Sequence, residues 1–127
     1  MAGEHPMMVG SATVFVVSDI TASLAYYRDV LGFEVTFEYG EPPSYACLCR
    51  DEVGLHLLAA AATKRLPGQG GLCVFVRDVD RIYAEVSGRG ARLLNQPEDR
   101  DYGMRDFDVV DADGNQLTFG MGTGAAA

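Results

Sequence analysis

The sequence predicts an α+β fold made of two tandem β-α-β-β-β repeats. The same order of elements is predicted twice along 127 residues, a length that suits one domain. Two pairs of segments also align: Val17-Ser18-Asp19-Ile20 with Val76-Arg77-Asp78-Val79, and Val53-Gly54-Leu55-His56-Leu57 with Asn115-Gln116-Leu117-Thr118-Phe119. We therefore expect a single domain over residues 1–127, with one mixed, curved eight-stranded sheet around a cavity and both helices on its convex side. The predicted parts are repeat one at about 11–60, a linker at 61–70 and repeat two at about 71–121.

Repeat one begins with an apolar, β-branched run at 12–17, which is typical of a buried strand. Ser18 and Asp19 offer side-chain oxygens for a helix N-cap, apolar residues then recur at helical spacing, and Gly32 ends the helix. Residues 33–39 alternate apolar and polar side chains, as a half-buried strand does. Two further strands are predicted at 44–50 and 55–60, around an Asp51-Glu52 turn.

Repeat two follows the same pattern. A buried strand is predicted at 71–76, and a helix that ends at Gly88 and Gly90 comes next. A strand at 91–95 and a polar loop that contains Pro97 lead to the last hairpin. Ala112-Asp113-Gly114 is a strong turn signal between strands at 105–110 and 115–121.

Alternate residues of a strand face opposite sides, so each predicted strand can be divided into two faces. One set is uniformly large and apolar and should pack under the helices: Phe15, Val17, Leu55, Leu57, Leu72, Val74, Val76, Phe107, Val109, Leu117 and Phe119. The other set is small, polar or mixed and should face a cavity: Ala12, Val14, Val16, Tyr45, Cys47, Cys49, His56, Leu58, Gly71, Cys73, Phe75, Asp106, Asp108, Thr118 and Gly120.

The hairpins bring some cavity-side residues together. A turn at Asp51-Glu52 places Cys47 opposite His56, whereas a longer turn places Cys49 there. Asp108 is expected close to Thr118 across the last hairpin. A Cys–His pair in contact can give an activated thiolate, but the sequence shows no oxyanion device and no third residue to orient His56. Contact with a bound ligand is therefore preferred for His56 over nucleophilic catalysis.

Composition excludes several classes of partner. The formal net charge of −8 argues against nucleic acid and anionic membrane surfaces, and it is compatible with a cationic ligand. No apolar run is long enough to span a bilayer, and residues 1–10 lack the pattern of a secretory signal. The three cysteines suggest no disulfide framework, so a reducing cytoplasm is the expected compartment.

Two segments resemble the vicinal oxygen chelate superfamily, which holds glyoxalases, extradiol dioxygenases and bleomycin resistance proteins. The first runs from Val17-Ser18-Asp19 through Tyr26-Tyr27-Arg28-Asp29-Val30-Leu31-Gly32-Phe33. The second, Tyr102-Gly103-Met104-Arg105-Asp106-Phe107 through Asp111-Ala112-Asp113-Gly114-Asn115, is similar to the bleomycin resistance type. The resemblance covers residues 12–120 and implies a homodimer with pockets built partly from the second chain.

The resemblance also implies where a metal would bind. Metal-dependent members carry ligands at positions that here hold Ala12, His56, Gly71 and Thr118. A catalytic metal needs about three protein ligands, and only His56 is a good donor. The alternative left open is that Cys47, Cys49 or Asp108 supplies a substitute.

The sequence therefore predicts a binding protein of the bleomycin resistance type, with no metal or other cofactor, that sequesters a cationic or aromatic small molecule. The alternative is a glyoxalase-type lyase or isomerase, or a dioxygenase, with a divalent metal. Arg105 lies on the helix-side parity, which favours a structural ion pair, and 111–115 is predicted to be a turn rather than a calcium loop. The predicted ligand-binding residues are Tyr45, Cys47, His56, Phe75, Tyr102, Asp106, Asp108 and Thr118.

Overall fold

The computed structural model describes residues 5–124, and this part of the chain contains two α-helices, nine strands and one short 3-10 helix. Repeat one consists of β1 (Thr13–Val17), α1 (Ile20–Asp29), β2 (Glu34–Tyr39), β3 (Tyr45–Arg50), β4 (Val53–Ala59) and the 3-10 helix (Ala60–Ala62). Repeat two consists of β5 (Gly71–Phe75), α2 (Val79–Gly88), β6 (Arg92–Leu93), β7 (Glu98–Asp99), β8 (Met104–Val110) and β9 (Gln116–Gly122). The α+β class and the tandem repeats are confirmed.

Each repeat forms its own mixed sheet. The first has the strand order β1-β4-β3-β2, and the second has the order β5-β9-β8-β6, with β7 also paired to β8. Within each sheet the first strand of the repeat runs parallel to the last, and the other pairs are antiparallel. The prediction of one eight-stranded sheet differs from this arrangement, because the nine described strands form two separate sheets that do not close around a common space.

The ninth strand lies in the segment that was predicted to be a polar loop. Glu98 pairs with Asp106 and Asp99 with Arg105 across a short antiparallel ladder. Acidic residues have low strand propensity, so the sequence pattern did not indicate this strand. The Asp99 carboxylate accepts a hydrogen bond of 3.0 Å from Arg105, which also binds Asp80 on α2. The predicted structural ion pair of Arg105 is therefore confirmed, and it ties β7 to α2.

Both helices begin at the aspartates that the repeat alignment pairs. Asp19 accepts a hydrogen bond from the backbone N–H of Ala22, and Asp78 accepts one from Arg81. Gly32 follows α1 with a φ of 79°, a left-handed conformation that favours glycine. Neither helix in residues 5–124 is long and apolar enough to cross a membrane.

The helix-side residues of both repeats form one continuous apolar core. Every predicted member of that set is buried except Leu72 and Val76, which pack partly buried against its edge. Phe107 contacts Phe119 with stacked rings 5.4 Å apart and Tyr83 of α2 at 5.2 Å. The alternate apolar residues that were predicted to pack under the helices therefore form the core.

A buried polar cluster joins the two repeats at the turn between β8 and β9. Asp111 Oδ1 accepts the backbone N–H groups of residues 113, 114 and 115, and its Oδ2 accepts a hydrogen bond of 2.9 Å from Tyr27 of α1. Asn115 is fully buried and donates to the Val16 carbonyl of β1 at 3.0 Å. The prediction of turn chemistry is confirmed, and this turn also connects the repeats.

Candidate functional site

Six of the eight predicted site residues lie on equivalent strand positions of the two repeats, but the eight lie on two surfaces. Tyr45 and Cys47 of β3 and His56 of β4 belong to repeat one, and Asp106 and Asp108 of β8 with Thr118 of β9 are their counterparts in repeat two. Both hairpins show the same register, with Cys47 opposite His56 and Asp108 opposite Thr118. The shorter-turn prediction for Cys47 is confirmed, and the alternative that placed Cys49 there is wrong.

Repeat two carries a cavity of about 700 Å³. Its lining, called here the repeat-two cavity, consists of Cys73, Val74, Phe75, Asn95, Arg100, Tyr102, Met104, Asp106, Asp108, Thr118 and Gly120. All five predicted residues of this repeat are in that lining. Tyr45, Cys47 and His56 are not, so within one chain this cavity is not shared between the repeats as predicted.

Asp108 is bound only by neutral groups in the described part of the chain. Asn95 Nδ2 donates to Oδ2 at 2.7 Å, and Gln116 and Thr118 donate to Oδ1 at 3.2 and 2.5 Å. The backbone N–H of Asp108 also donates to Asn95 Oδ1 at 2.7 Å. These contacts fix the carboxylate but leave its charge without a cationic partner in residues 5–124.

Asp106, by contrast, already has a cationic partner, Arg100. It is 7% exposed, accepts a hydrogen bond of 2.8 Å from Arg100 Nε and another of 2.7 Å from the Tyr102 hydroxyl. Burial alone would raise the pKa of Asp106, but the hydrogen bonds from Tyr102 and Arg100 outweigh it, and the pKa lies below its usual value. The same hydrogen bond raises the pKa of Tyr102, so the phenol keeps its proton.

Aromatic rings stand at the rim of the repeat-two cavity and a glycine lies in its floor. Phe75 is 77% exposed, and Tyr102 projects from the loop between β7 and β8 with its hydroxyl held by Asp106. A Cβ on Gly120 would lie 3.3 Å from the Asp106 Cβ and from Met104 Cε. The glycine therefore keeps the floor between Phe75 and Asp106 open.

Tyr45 and His56 share a hydrogen bond of 2.7 Å between the phenol oxygen and Nδ1 on the side of the first sheet opposite the apolar core. Their rings meet edge to face with centroids 5.4 Å apart. Burial raises the pKa of the Tyr45 phenol, the neighbouring Cys47 raises it further, and Arg65 opposes the rise. Tyr45 thus stays protonated and holds the orientation of the imidazole.

A β-bulge in β2 adds two aromatic residues to this surface that the sequence reasoning missed. Val35 pairs with Leu48, but Phe37 pairs with Cys47, so β2 has one extra residue at Thr36. Directly opposed residues share a face, and the bulge therefore turns Phe37 and Tyr39 from the helix side to the side of Cys47 and Tyr45. Phe37 is 53% and Tyr39 66% exposed. The repeat-one face, as used below, consists of Phe37, Tyr39, Tyr45, Cys47 and His56.

The residues at the family's metal positions do not fit a metal centre. Ala12 and Gly71 have no donor atom, the Thr118 hydroxyl is engaged with Asp108, and Nδ1 of His56 is engaged with Tyr45. No three His, Cys, Asp or Glu side chains of residues 5–124 are grouped closely enough to hold a metal ion. No step of a mechanism is therefore assigned to a metal.

The chain resembles known proteins over most of its length. The family model described as Glyoxalase/Bleomycin resistance protein/Dioxygenase superfamily matches residues 10–119. Bleomycin resistance proteins of Geobacillus stearothermophilus and Staphylococcus aureus are each 26% identical to this chain, over 88% of it and 96% of their own length. A superfamily member from Sphaerobacter thermophilus superposes with a TM-score of 0.77 at 25% identity, covering 91% of this chain and 98% of its own.

A bleomycin-binding protein from bleomycin-producing Streptomyces verticillus, solved with copper(II)-bleomycin, has the same fold. Its TM-score is 0.74 at 21% identity, and the match covers 91% of this chain and 97% of that protein. The matched family model spans both repeats and both candidate surfaces. The chain therefore belongs to the Glyoxalase/Bleomycin resistance protein/Dioxygenase superfamily.

Proposed function

We propose that this protein binds a small molecule without a metal ion and that the ligand carries a cationic, aromatic group. The observation that carries the proposal is the state of Asp108. Its carboxylate lines the repeat-two cavity and, within residues 5–124, has only neutral hydrogen-bond donors, so a cationic ligand group would be its first ionic partner there. Tyr102 and Phe75 provide aromatic surface beside it.

Asp106 has a different role in this proposal. Its ion pair with Arg100 and its hydrogen bond from Tyr102 hold the Tyr102 ring at the rim of the cavity. It contributes shape rather than free negative charge. Of the two aspartates predicted to attract a cation, Asp108 is the one left to do so.

Binding rather than catalysis is supported by the relatives and by the donor set. The relatives at 26% identity are bleomycin resistance proteins, and sequestration of a drug in the cavity would explain such a role for this chain. The superfamily name also includes dioxygenases, and the resemblance implies that metal-dependent members carry ligands at the positions that here hold Ala12 and Gly71, which have no donor atom. One divalent ion bound per chain, lost on His56→Ala, would contradict the metal-free proposal.

The complete site is proposed to form in a homodimer. The repeat-one face of one chain would cover the repeat-two cavity of its partner, which unites all eight predicted residues in one pocket. Two facts support this arrangement: β1 and β5 are end strands of their sheets, and Phe75 is 77% exposed at the edge of the cavity. Such an assembly would bury both.

Two probes test whether the cavity binds a cationic, aromatic molecule. Bleomycin tests whether this chain binds the ligand named for its relatives. Benzamidine is cationic, and it is compared with benzamide, which has nearly the same shape and no charge. We expect bleomycin to raise the melting temperature, since a ligand at about 100 times its Kd stabilises the native state by about 2.7 kcal/mol. Benzamidine should shift the amide resonances of β8 and β9, and benzamide should shift them much less.

Asp108→Asn should weaken benzamidine binding at least tenfold, because a hydrogen bond to a charged group contributes about 1.5–3 kcal/mol. Asp101→Asn is the matched control, since Asp101 is an exposed acid of the neighbouring loop outside the cavity lining. Equal binding of benzamidine and benzamide, or equal loss in both variants, would overturn the cationic-ligand proposal. The melting temperature of each ligand-free variant shows whether it is folded.

A further inference from the structure

Arg65 stands at the edge of the repeat-one face and is held there by two hydrogen bonds. Its Nη2 donates to the Val14 carbonyl at 3.2 Å, and its backbone N–H donates to the Thr63 hydroxyl at 3.2 Å. Val14 lies beside His56 in the parallel ladder between β1 and β4. The first of these bonds places the guanidinium of the exposed Arg65 at the level of His56.

The charge of Arg65 is not matched by a carboxylate. None of the described acidic side chains lies within ion-pair distance of it, although seven ion pairs occur elsewhere in residues 5–124. The hydrogen bond to Val14, the residue opposite His56 in the ladder, places the guanidinium beside the Tyr45–His56 pair, and Arg65 correspondingly opposes the rise in the pKa of the Tyr45 phenol. A guanidinium has five N–H donors, and the Val14 carbonyl uses one.

His56 adds a second donor. The Tyr45 phenol stays protonated and is the natural donor to Nδ1 across the 2.7 Å contact. A neutral imidazole that accepts at Nδ1 carries its proton on Nε2. The pair thus leaves an N–H on the repeat-one face in addition to the free N–H groups of Arg65.

We propose that Arg65 and His56 form a subsite for a carboxylate, while the exposed rings of Phe37 and Tyr39 lie three strands away on the same face and would contact only an extended ligand. The fork of a guanidinium matches a planar carboxylate, and aromatic surface lies on the same face. The biological role of this subsite rests on the proposed function. The positive group of the proposed ligand would lie at Asp108, and its carboxylate would lie at Arg65. The substrate class is thus an aromatic zwitterion.

Benzoate is the probe for this subsite, with benzamide as the uncharged match. In a titration followed by ¹⁵N–¹H correlation spectra, benzoate should shift the amides of β1, β3 and β4 around Val14, Tyr45 and His56, and benzamide should not. Arg65→Gln should weaken the benzoate effect about tenfold, as expected for a charge-assisted hydrogen bond. Lys64→Gln is the matched control, since Lys64 is the adjacent exposed cation.

Three outcomes would overturn the proposal: no benzoate-dependent shift, an equal loss in Arg65→Gln and Lys64→Gln, or shifts confined to Arg81 of α2 and the arginines that flank that helix. The test is separate from that of the cationic site, because benzamidine reports on β8 and β9 and benzoate on β1, β3 and β4. Benzamidine binding without benzoate binding would sink the carboxylate subsite alone. Benzoate binding without benzamidine binding would sink the cationic site and leave Arg65 as the centre of an anion site.

Discussion

The contact between Tyr27 and Asp111 should be a major source of stability at the junction of the two repeats. Tyr27 is fully buried, and its hydroxyl donates to Asp111 Oδ2 at 2.9 Å. Tyr27→Phe removes this donor but leaves Oδ2 a second one, the Asn115 side-chain amide at 2.9 Å. A buried hydrogen bond to a charged group contributes about 1.5–3 kcal/mol, and the remaining donor places the expected loss near the lower figure, about 1.5 kcal/mol.

Urea unfolding followed by circular dichroism measures this loss, and a thermal melt should show a fall of about 6 °C for a chain of this size. Tyr83→Phe is the matched control. The Tyr83 ring packs edge to face on Phe107, and its hydroxyl has no hydrogen bond among those of residues 5–124. If Tyr27→Phe costs no more than Tyr83→Phe, the hydroxyl does not stabilise the junction and the reasoning is wrong.

Alkaline pH gives a second readout of the same contact. Burial raises the pKa of Tyr27 far above its ordinary value, and the Asp111 charge raises it further. Above a pH of about 10 the unfolded chain therefore releases a proton that the folded chain keeps, and stability falls by about 1.4 kcal/mol per pH unit from this group. The stabilising effect is fully present below pH 10. Tyr27→Phe should remove this part of the slope, so the free energies of unfolding of the two proteins should converge between pH 10 and 11.

Three further predictions concern the candidate surfaces and the ion pairs of Arg105. Phe37→Ser and Tyr39→Ser should weaken ligand binding and leave the urea midpoint nearly unchanged, because both rings are mostly exposed. Arg105→Gln should speed hydrogen exchange in β7, since it removes the ion pairs that tie this strand to α2. Tyr102→Phe should raise the pKa of Asp106, and carboxyl ¹³C NMR measures this pKa. The lowered pKa of Asp106 stabilises the folded wild type above about pH 4, and this stabilisation is lost as the pH falls through the pKa of the folded state. The variant should have less of this stabilisation.

The fold was predictable because its determinants are local and repeated. Asp19 and Asp78 cap equivalent helices, and the apolar residues at period two identify the buried side of each sheet. The pairing of Cys47 with His56 also followed from the turn at Asp51-Glu52, since hairpin register depends on turn length. These features need only a short stretch of chain to be read. The organisation of the whole of residues 1–127 as one domain stays a prediction.

The bulge at Thr36 shows where local reading ends. The alternation over residues 33–39 predicted that Val35, Phe37 and Tyr39 share a face, but the extra residue separates Val35 from the other two. The Thr36 hydroxyl donates to the Cys47 carbonyl at 3.1 Å, which compensates part of the disturbed ladder. Nothing in the sequence of β2 announces this contact, because its partner lies on β3.

The prediction that both repeats of one chain line the same cavity was wrong for a related reason. Residue parity says which side of its own sheet Asp108 or His56 occupies, but it does not say how one sheet is placed relative to the other. That placement depends on contacts between the repeats, such as Asn115 with Val16 and Arg50 with Glu85, which are distant in sequence. The sequence also could not predict that Asp106 pairs with Arg100 while Asp108 binds only neutral groups in residues 5–124, because these side-chain contacts depend on the folded structure.

Whether the two surfaces belong to one pocket can be decided by mixing two damaged chains. We expect the His56→Ala and Asp108→Asn homodimers each to bind bleomycin at least about tenfold more weakly than the wild type, because each variant damages one side of the proposed pocket. In a two-fold symmetric dimer each pocket combines the repeat-one face of one chain with the repeat-two cavity of the other. A mixed dimer therefore has one pocket with both sides intact and one pocket with both sides damaged. Random co-refolding makes about half of the dimers mixed, so calorimetry should recover about a quarter of the wild-type stoichiometry. A site built within one chain predicts no recovery at all, and a wild-type protein that is monomeric by light scattering would exclude the shared pocket directly.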